Sequence, residues 1–296
     1  MTNDDENLWC LLAVCQFNLL HDDEALVSIN RAIAIKRDTQ FESLKACILT
    51  EDGIKRGSKT NLLLAKDIFR RLAQTRSAWL DHYNYGNVLQ ALNEYNQAEQ
   101  EFLKAVEGNP THAEAWKNLG TVYFHLDDHL KELECYDKAL HLNPKLPEAL
   151  VSKAVTLLIV YKNPQEAITL LESALQDAET GFRWPHIWYW LSKAYQDNGQ
   201  FEMALKRATD GLNIVPDHYG LLNLKGSILA QLWRSVPSVI NEAQDFFKLR
   251  VQLDKKDYNS FTELTHIYLA SKKESAAIDL LLSFTENKLN FRLYQE

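Results

Sequence analysis

Residues 79 to 110, WLDHYNYGNVLQALNEYNQAEQEFLKAVEGNP, lie on residues 113 to 144, AEAWKNLGTVYFHLDDHLKELECYDKALHLNP, without a gap. Gly86 falls on Gly120, Phe102 on Tyr136, Ala105 on Ala139 and Pro110 on Pro144, each 34 residues apart. A fixed period in this range marks stacked structural units rather than one irregular core. Extending the alignment gives a column of small residues, Ala13, Ala46, Gly86, Gly120, Ala154, Ser192, Gly226 and Thr265, and a second column, Ala25, Ala65, Ala98, Ala167, Ala204, Ala243 and Ala277. Two helices of a hairpin approach closely only where no bulky side chain intervenes, and stacked hairpins repeat that demand. Ten glycines and seven prolines in 296 residues leave few breaks, which favours helices throughout.

The pattern resembles that of the tetratricopeptide repeat (TPR) family. Trp116, Leu119, Gly120, Tyr123, Tyr136, Ala139 and Pro144 carry the family's signature, and Trp188, Leu191, Tyr195, Gly199, Phe201, Ala204 and Pro216 carry most of it again. The resemblance implies an all-α, right-handed superhelical solenoid of about eight stacked helix-turn-helix hairpins over residues 1–296, with no independent second domain. It also implies a concave groove lined by the first helix of each hairpin. Glu132 stands where the family has alanine, so the fourth hairpin is expected to splay. Seven extra residues before Ala65 are assigned to a surface loop, EDGIKRGSKT, whose Lys55, Arg56 and Lys59 read as a solvated basic insertion. About five more before Ala243 are assigned to RSVPSV. ENLWCLLAV at one end and NKLNFRLYQE at the other lack a polar capping helix, which implies a longer protein or self-association through the terminal repeats.

The segment RWPHIWYWLSKAY, residues 183–195, places three tryptophans within seven positions. Trp188 aligns with Trp116 and Trp9 and is expected in the core, so that truncation costs about 3 to 5 kcal/mol. Trp184, before Pro185, reads as a staple at the hairpin entry. Tyr189 and Trp190 fall on the groove side, with His186 one turn before Trp190 and Lys193 one turn after it. Two placements are open for Trp190: an aromatic contact for a ligand, or packing on a neighbouring first helix near Val155 or Leu224.

Asn84 and Asn118 occupy equivalent positions, and Asn87 lies one turn beyond Asn84. In proteins of the resembling family, asparagines at these positions hold the backbone of an extended peptide, as an amide with both donor and acceptor can. The alternative is that asparagine is simply frequent there. Tyr83, Lys117, Thr121 and His125 would line the same stretch. Chaperone-binding members grip a C-terminal carboxylate with added cations; here Tyr83, Glu148 and Ser152 stand in the cation positions, which removes most of the attraction.

A net charge of −8 disfavours a nucleic-acid partner. Cys10, Cys15, Cys47 and Cys135 form no C-x-x-C pair and read as buried, reduced thiols in a cytoplasmic protein. The longest apolar stretch, AVTLLIVY, is too short to cross a membrane. The runs HLDDH at 125–129 and HDDE at 21–24 hold metal-binding residue types but fall at hairpin turns, where aspartate caps the next helix. Neither a metal nor a cofactor is expected, and no catalytic motif occurs. The expectation is a non-enzymatic scaffold that binds a peptide or protein segment. The alternatives are a co-chaperone, or the substrate-recruiting repeat region of a larger enzyme such as a glycosyl transferase.

Overall fold

A computed structural model describes residues 5–76, 78–176, 184–254 and 257–293, with side chains placed as far as residue 283. The described residues form sixteen α-helices and no strand. They pair as α1 (Glu6–Asn18) with α2 (Asp22–Ile35), α3 (Thr39–Arg56) with α4 (Lys59–Thr75), α5 (Trp79–Ala91) with α6 (Tyr95–Gly108), and α7 (Ala113–His125) with α8 (His129–Leu142). Four more pairs follow: α9 (Pro147–Ile159) with α10 (Pro164–Leu175), α11 (His186–Asp197) with α12 (Phe201–Ile214), α13 (Tyr219–Leu232) with α14 (Ile240–Leu253), and α15 (Tyr258–Ala270) with α16 (Glu274–Leu293). The chain divides into two compact units, Met1–Lys153 and Ala154–Glu296, with the boundary inside α9. Each unit is a stack of helical hairpins, as the repeat predicts. The C-terminal sequence NKLNFRLYQE lies outside the described side chains.

Both small-residue columns lie where paired helices meet. A Cβ on Gly86 would sit 2.8 Å from the Phe102 ring, and one on Gly120 would sit 2.6 Å from the ring of Tyr136. In the second column every alanine is at most 1% exposed. Ser192 takes the same close position and returns its hydroxyl proton to the Ala204 carbonyl at 2.8 Å. Glu132, in the alanine column, is wholly buried and its carboxylate meets His129 Nδ1 at 2.8 Å.

The first helices are uniform in length. α1, α5, α7, α9, α11 and α15 each end five residues past their small residue. The turns that follow place one residue in the left-handed region: Leu20, Asn93, Asp127, Lys162 and Lys272 at φ between 52° and 63°, and Gly199 at 75°. Hairpin 2 departs from this rule. α3 runs ten residues past Ala46, and α4 also begins early, so only Gly57 and Ser58 make the turn. The expected loop at 51–60 is therefore two lengthened helices. Gly57 ends α3 at φ 64°, and the Ser58 amide donates to the Gly53 carbonyl at 2.9 Å. Lys55 and Arg56 are exposed, as expected, but helical, and they pair with Asp22 at 2.9 Å and Asp23 at 2.8 Å, Arg56 also with buried Asp52 at 2.7 Å. RSVPSV does form the connection after α13, ending in a 3-10 turn at Pro237–Val239.

The tryptophan position is not core. Trp9, Trp116 and Trp188 are half-buried. Arg31 lies 4.5 Å over the Trp9 ring and Lys138 4.3 Å over that of Trp116, so this slot faces a cation on the second helix of the same hairpin. Glu42 and His82 occupy the same slot in hairpins 2 and 3 and make the polar counterpart of that contact, to Arg71 at 2.9 Å and Glu101 at 2.6 Å. Successive hairpins of unit 1 are also joined by Lys66–Glu94 at 2.6 Å and Arg76–Asp81 at 3.1 Å. In unit 2 Glu172 accepts from Arg207 at 2.7 Å and from Tyr195 at 2.8 Å, and Arg234 meets Glu263 at 3.1 Å.

Asp81 occupies a slot filled by Ala115 and Ala149 in the next two hairpins, and it is 1% exposed. Burial raises its pKa despite Arg76. A raised folded-state pKa gives stability that is present in acid and lost as pH rises through that value. Asp81→Ala therefore raises stability at pH 7 by about 1 kcal/mol, and the gain fades on acidification. Gly120→Ala, in contrast, costs about 1 to 3 kcal/mol by forcing Tyr136 out of place. Denaturant titrations followed by helical circular dichroism check both.

Candidate functional site

The first helices of unit 1 line one groove of about 1080 Å³. Tyr83, Asn84 and Asn87 reach it from α5, and Asn118 and His125 from α7. Five of the residues singled out by the repeat alignment thus face one space. Asn118 Nδ2 donates to Asn87 Oδ1 at 2.8 Å and approaches the Tyr83 hydroxyl at 3.4 Å. Burial raises the Tyr83 pKa, so its phenol stays protonated at neutral pH and can donate. The ring of His125 stacks on Tyr95 at 4.3 Å, closing the α7 side. Lys117 and Thr121 lie off this lining: Lys117 pairs with Glu114 at 3.4 Å, and the Thr121 hydroxyl donates to the Lys117 carbonyl at 3.2 Å.

Sequence reasoning missed the other half of the lining, which includes Phe17, Glu51, Ile54, Lys59 and Gln90. Residues 51–59 were hidden by their loop-like composition. Gln90 could have been found, because it lies one helical turn beyond Asn87 on the same face. Glu51 and Lys59 are the only acidic and basic side chains on this lining, so apart from His125 the rest of it is uncharged.

In unit 2 Trp190 and Lys193 border a smaller cavity of about 480 Å³ with Leu158, Ile159 and Pro164. Trp190 is half-buried there and shares the cavity with the end of α9. Tyr189 meets Trp190 edge to face at 5.1 Å, and its ring borders Gly220 at the start of α13. His186 does not join this cavity; it stacks on Trp184 at 6.4 Å. Lys193 is paired with Asp197 at 2.6 Å.

The turn residues behave as caps in one case and not in the other. Asp128 accepts the Lys131 amide at 3.3 Å at the start of α8, whereas α2 has no side-chain cap and Asp22 is buried against Lys55. Among the described residues no group of three or more His, Cys, Asp or Glu is placed to hold a metal ion.

A family model for the tetratricopeptide repeat matches residues 83–147, and a second matches 185–206. Both stretches are tetratricopeptide repeats. Anaphase-promoting complex subunit 3 of Schizosaccharomyces pombe is 27% identical over 212 residues, which is 70% of this chain and 30% of that protein. Protein O-mannosyl-transferase TMTC3 of Homo sapiens is 29% identical over 104 residues, 34% of this chain and 11% of that protein. The chain thus spans less than a third of the length of either relative. The solved structure of pilF from Pseudomonas aeruginosa matches with a TM-score of 0.62 at 17% identity, covering 75% of this chain and 97% of that one, and supports the fold. A tetratricopeptide array is the architecture of a protein-interaction scaffold.

Not all the cysteines are buried: Cys15 is exposed, Cys10 and Cys47 are half-buried and Cys135 is buried. Burial pushes the Cys47 thiol, on the groove, up to about 11 and Cys135 up to about 12. Both therefore stay protonated, and so unreactive, at pH 8. Alkylation of the folded protein followed by mass spectrometry should label Cys15 first and reach Cys47 and Cys135 only on unfolding.

Proposed function

We propose that this protein is a non-enzymatic scaffold of the cytoplasm whose unit 1 groove binds an extended segment of a protein partner. The observation that carries the reading is the convergence of Tyr83, Asn84, Asn87 and Asn118 on one groove about 1080 Å³ in volume. An extended peptide presents amide donors and carbonyl acceptors in alternation, and these side chains offer both kinds of group. The Asn118–Asn87 hydrogen bond keeps the amides oriented until a main chain replaces it. A carboxylate terminus is a poor ligand for this groove, because Lys59 is its only basic side chain and Glu51 opposes it. That argues against the chaperone-binding mode.

Trp190, with Tyr189 edge to face and Lys193 on the same small cavity, forms a second contact in unit 2, while His186, Lys117 and Thr121 lie off the two linings and add no direct contact. Hairpin 1 supplies a surface for self-association, since Leu8, Leu11 and Leu12 on α1 are 42% to 60% exposed. The match with an O-mannosyl-transferase concerns 11% of that protein, which keeps in view a partner-recruiting role beside an enzyme.

A tiled array of 15-residue peptides, read with the whole chain, tests the groove. The double variant Asn87→Ala/Asn118→Ala is expected to weaken every bound peptide at least about tenfold, a loss of two polar contacts, while the melting temperature stays within about 2 °C. Unchanged binding by this variant defeats the reading.

A further inference from the structure

The two halves of the unit 1 groove differ in chemistry, and hairpin 2 makes the difference. The amide half, on α5 and α7, has no acidic or basic side chain apart from His125. The other half is built where α3, of 18 residues, and α4, of 17, outrun the 13- and 14-residue helices of hairpins 1, 3 and 4, and it exists because residues 51–56 and Lys59 are helical rather than looped. The added turn of α3 carries Ile54, which is 54% exposed on the groove's edge. Phe17 of α1 lines the same end, half-buried. Leu62 and Phe69 of α4, 7% and 1% exposed, complete an apolar base. Gly53 fixes that geometry: a Cβ there would sit 2.8 Å from the Leu62 side chain, so the lengthened helices cross without a gap.

An isoleucine on the rim and a phenylalanine beside it gain nothing from water. The charges flanking them, Glu51 and Lys59, are one of each sign and cancel. Such an end neither attracts a terminal carboxylate nor a strongly charged segment, while it rewards burial of apolar surface.

We propose that the lengthened second hairpin is a receptor for one large apolar side chain, so that the bound segment is an internal, extended stretch carrying a leucine, phenylalanine or tryptophan beside uncharged residues. This rests on the peptide reading of the groove and adds its specificity. The main chain lies along Asn84, Asn87 and Asn118, and the apolar side chain enters between Phe17 and Ile54.

The test uses the whole chain and decapeptides of Gly, Ser, Thr and Asn, acetylated and amidated at their ends, with Trp, Leu, Ala or Glu at one central position. Fluorescence polarisation is expected to rank Trp and Leu at least about tenfold tighter than Ala, with Glu weakest. Ile54→Asp, at an exposed site where folding is checked by circular dichroism, brings the Trp and Leu peptides down to the level of Ala. Asn87→Ala/Asn118→Ala weakens all four and preserves their order. Equal affinities for Trp, Leu and Ala, or a preference that survives Ile54→Asp, overturn the receptor and leave the peptide reading standing if the double asparagine variant still weakens binding. Binding by none of the peptides overturns both.

Discussion

Every later feature of this chain depends on how near two paired helices can come. Where Gly86 and Gly120 remove a side chain, the rings of Phe102 and Tyr136 press against bare backbone, and the alanines of the second column close the same seam. That contact sets the spacing of a hairpin and leaves the opposite face of each first helix unoccupied by its partner. Side chains such as Asn84 and Asn118 come to face a groove because their neighbours two positions on are consumed in the seam.

The eight hairpins and the placing of the asparagines were legible because they follow from period, and period survives in sequence. The parts that were not legible are the places where composition and geometry disagree. EDGIKRGSKT has the glycine, lysine and serine of a loop, yet Asp52 and Asn61 pair across the helices at 2.6 Å, and Gly57 confines the break to one left-handed residue. No local preference distinguishes such a glycine cap from a loop glycine. The apolar character of the tryptophan slot points to the core, but its occupants in unit 1 are Trp9, Glu42, His82 and Trp116, and an apolar interior would not accept the second and third unpaired. A cation on the second helix is what all four have in common, directly or, for His82, through Glu101 to Lys104 at 2.8 Å.

The groove therefore combines two inheritances. Its amide wall follows the repeat and sits at repeat positions. Its apolar end comes from hairpin 2, where α3 and α4 run longer than the other helices of unit 1, and a feature of that kind lies outside what a repeat pattern can encode.

The ion pairs at the hairpin junctions have a further consequence for a molecule made of similar parts. Identical seams would let a folding chain join hairpin 1 to hairpin 3, or start its stack one repeat out of step, at little cost. Asp22 with Lys55, Lys66 with Glu94, Arg76 with Asp81 and Glu172 with Arg207 make three junctions, those of hairpins 1 with 2, 2 with 3 and 5 with 6, complementary to the true neighbour, because a wrong pairing would leave a buried or half-buried charge without its counterpart. Such pairs, among them Asp81 in a place that alanine fills in the next two hairpins, thus act as addresses and lower the number of ways in which the same hairpins can be misassembled.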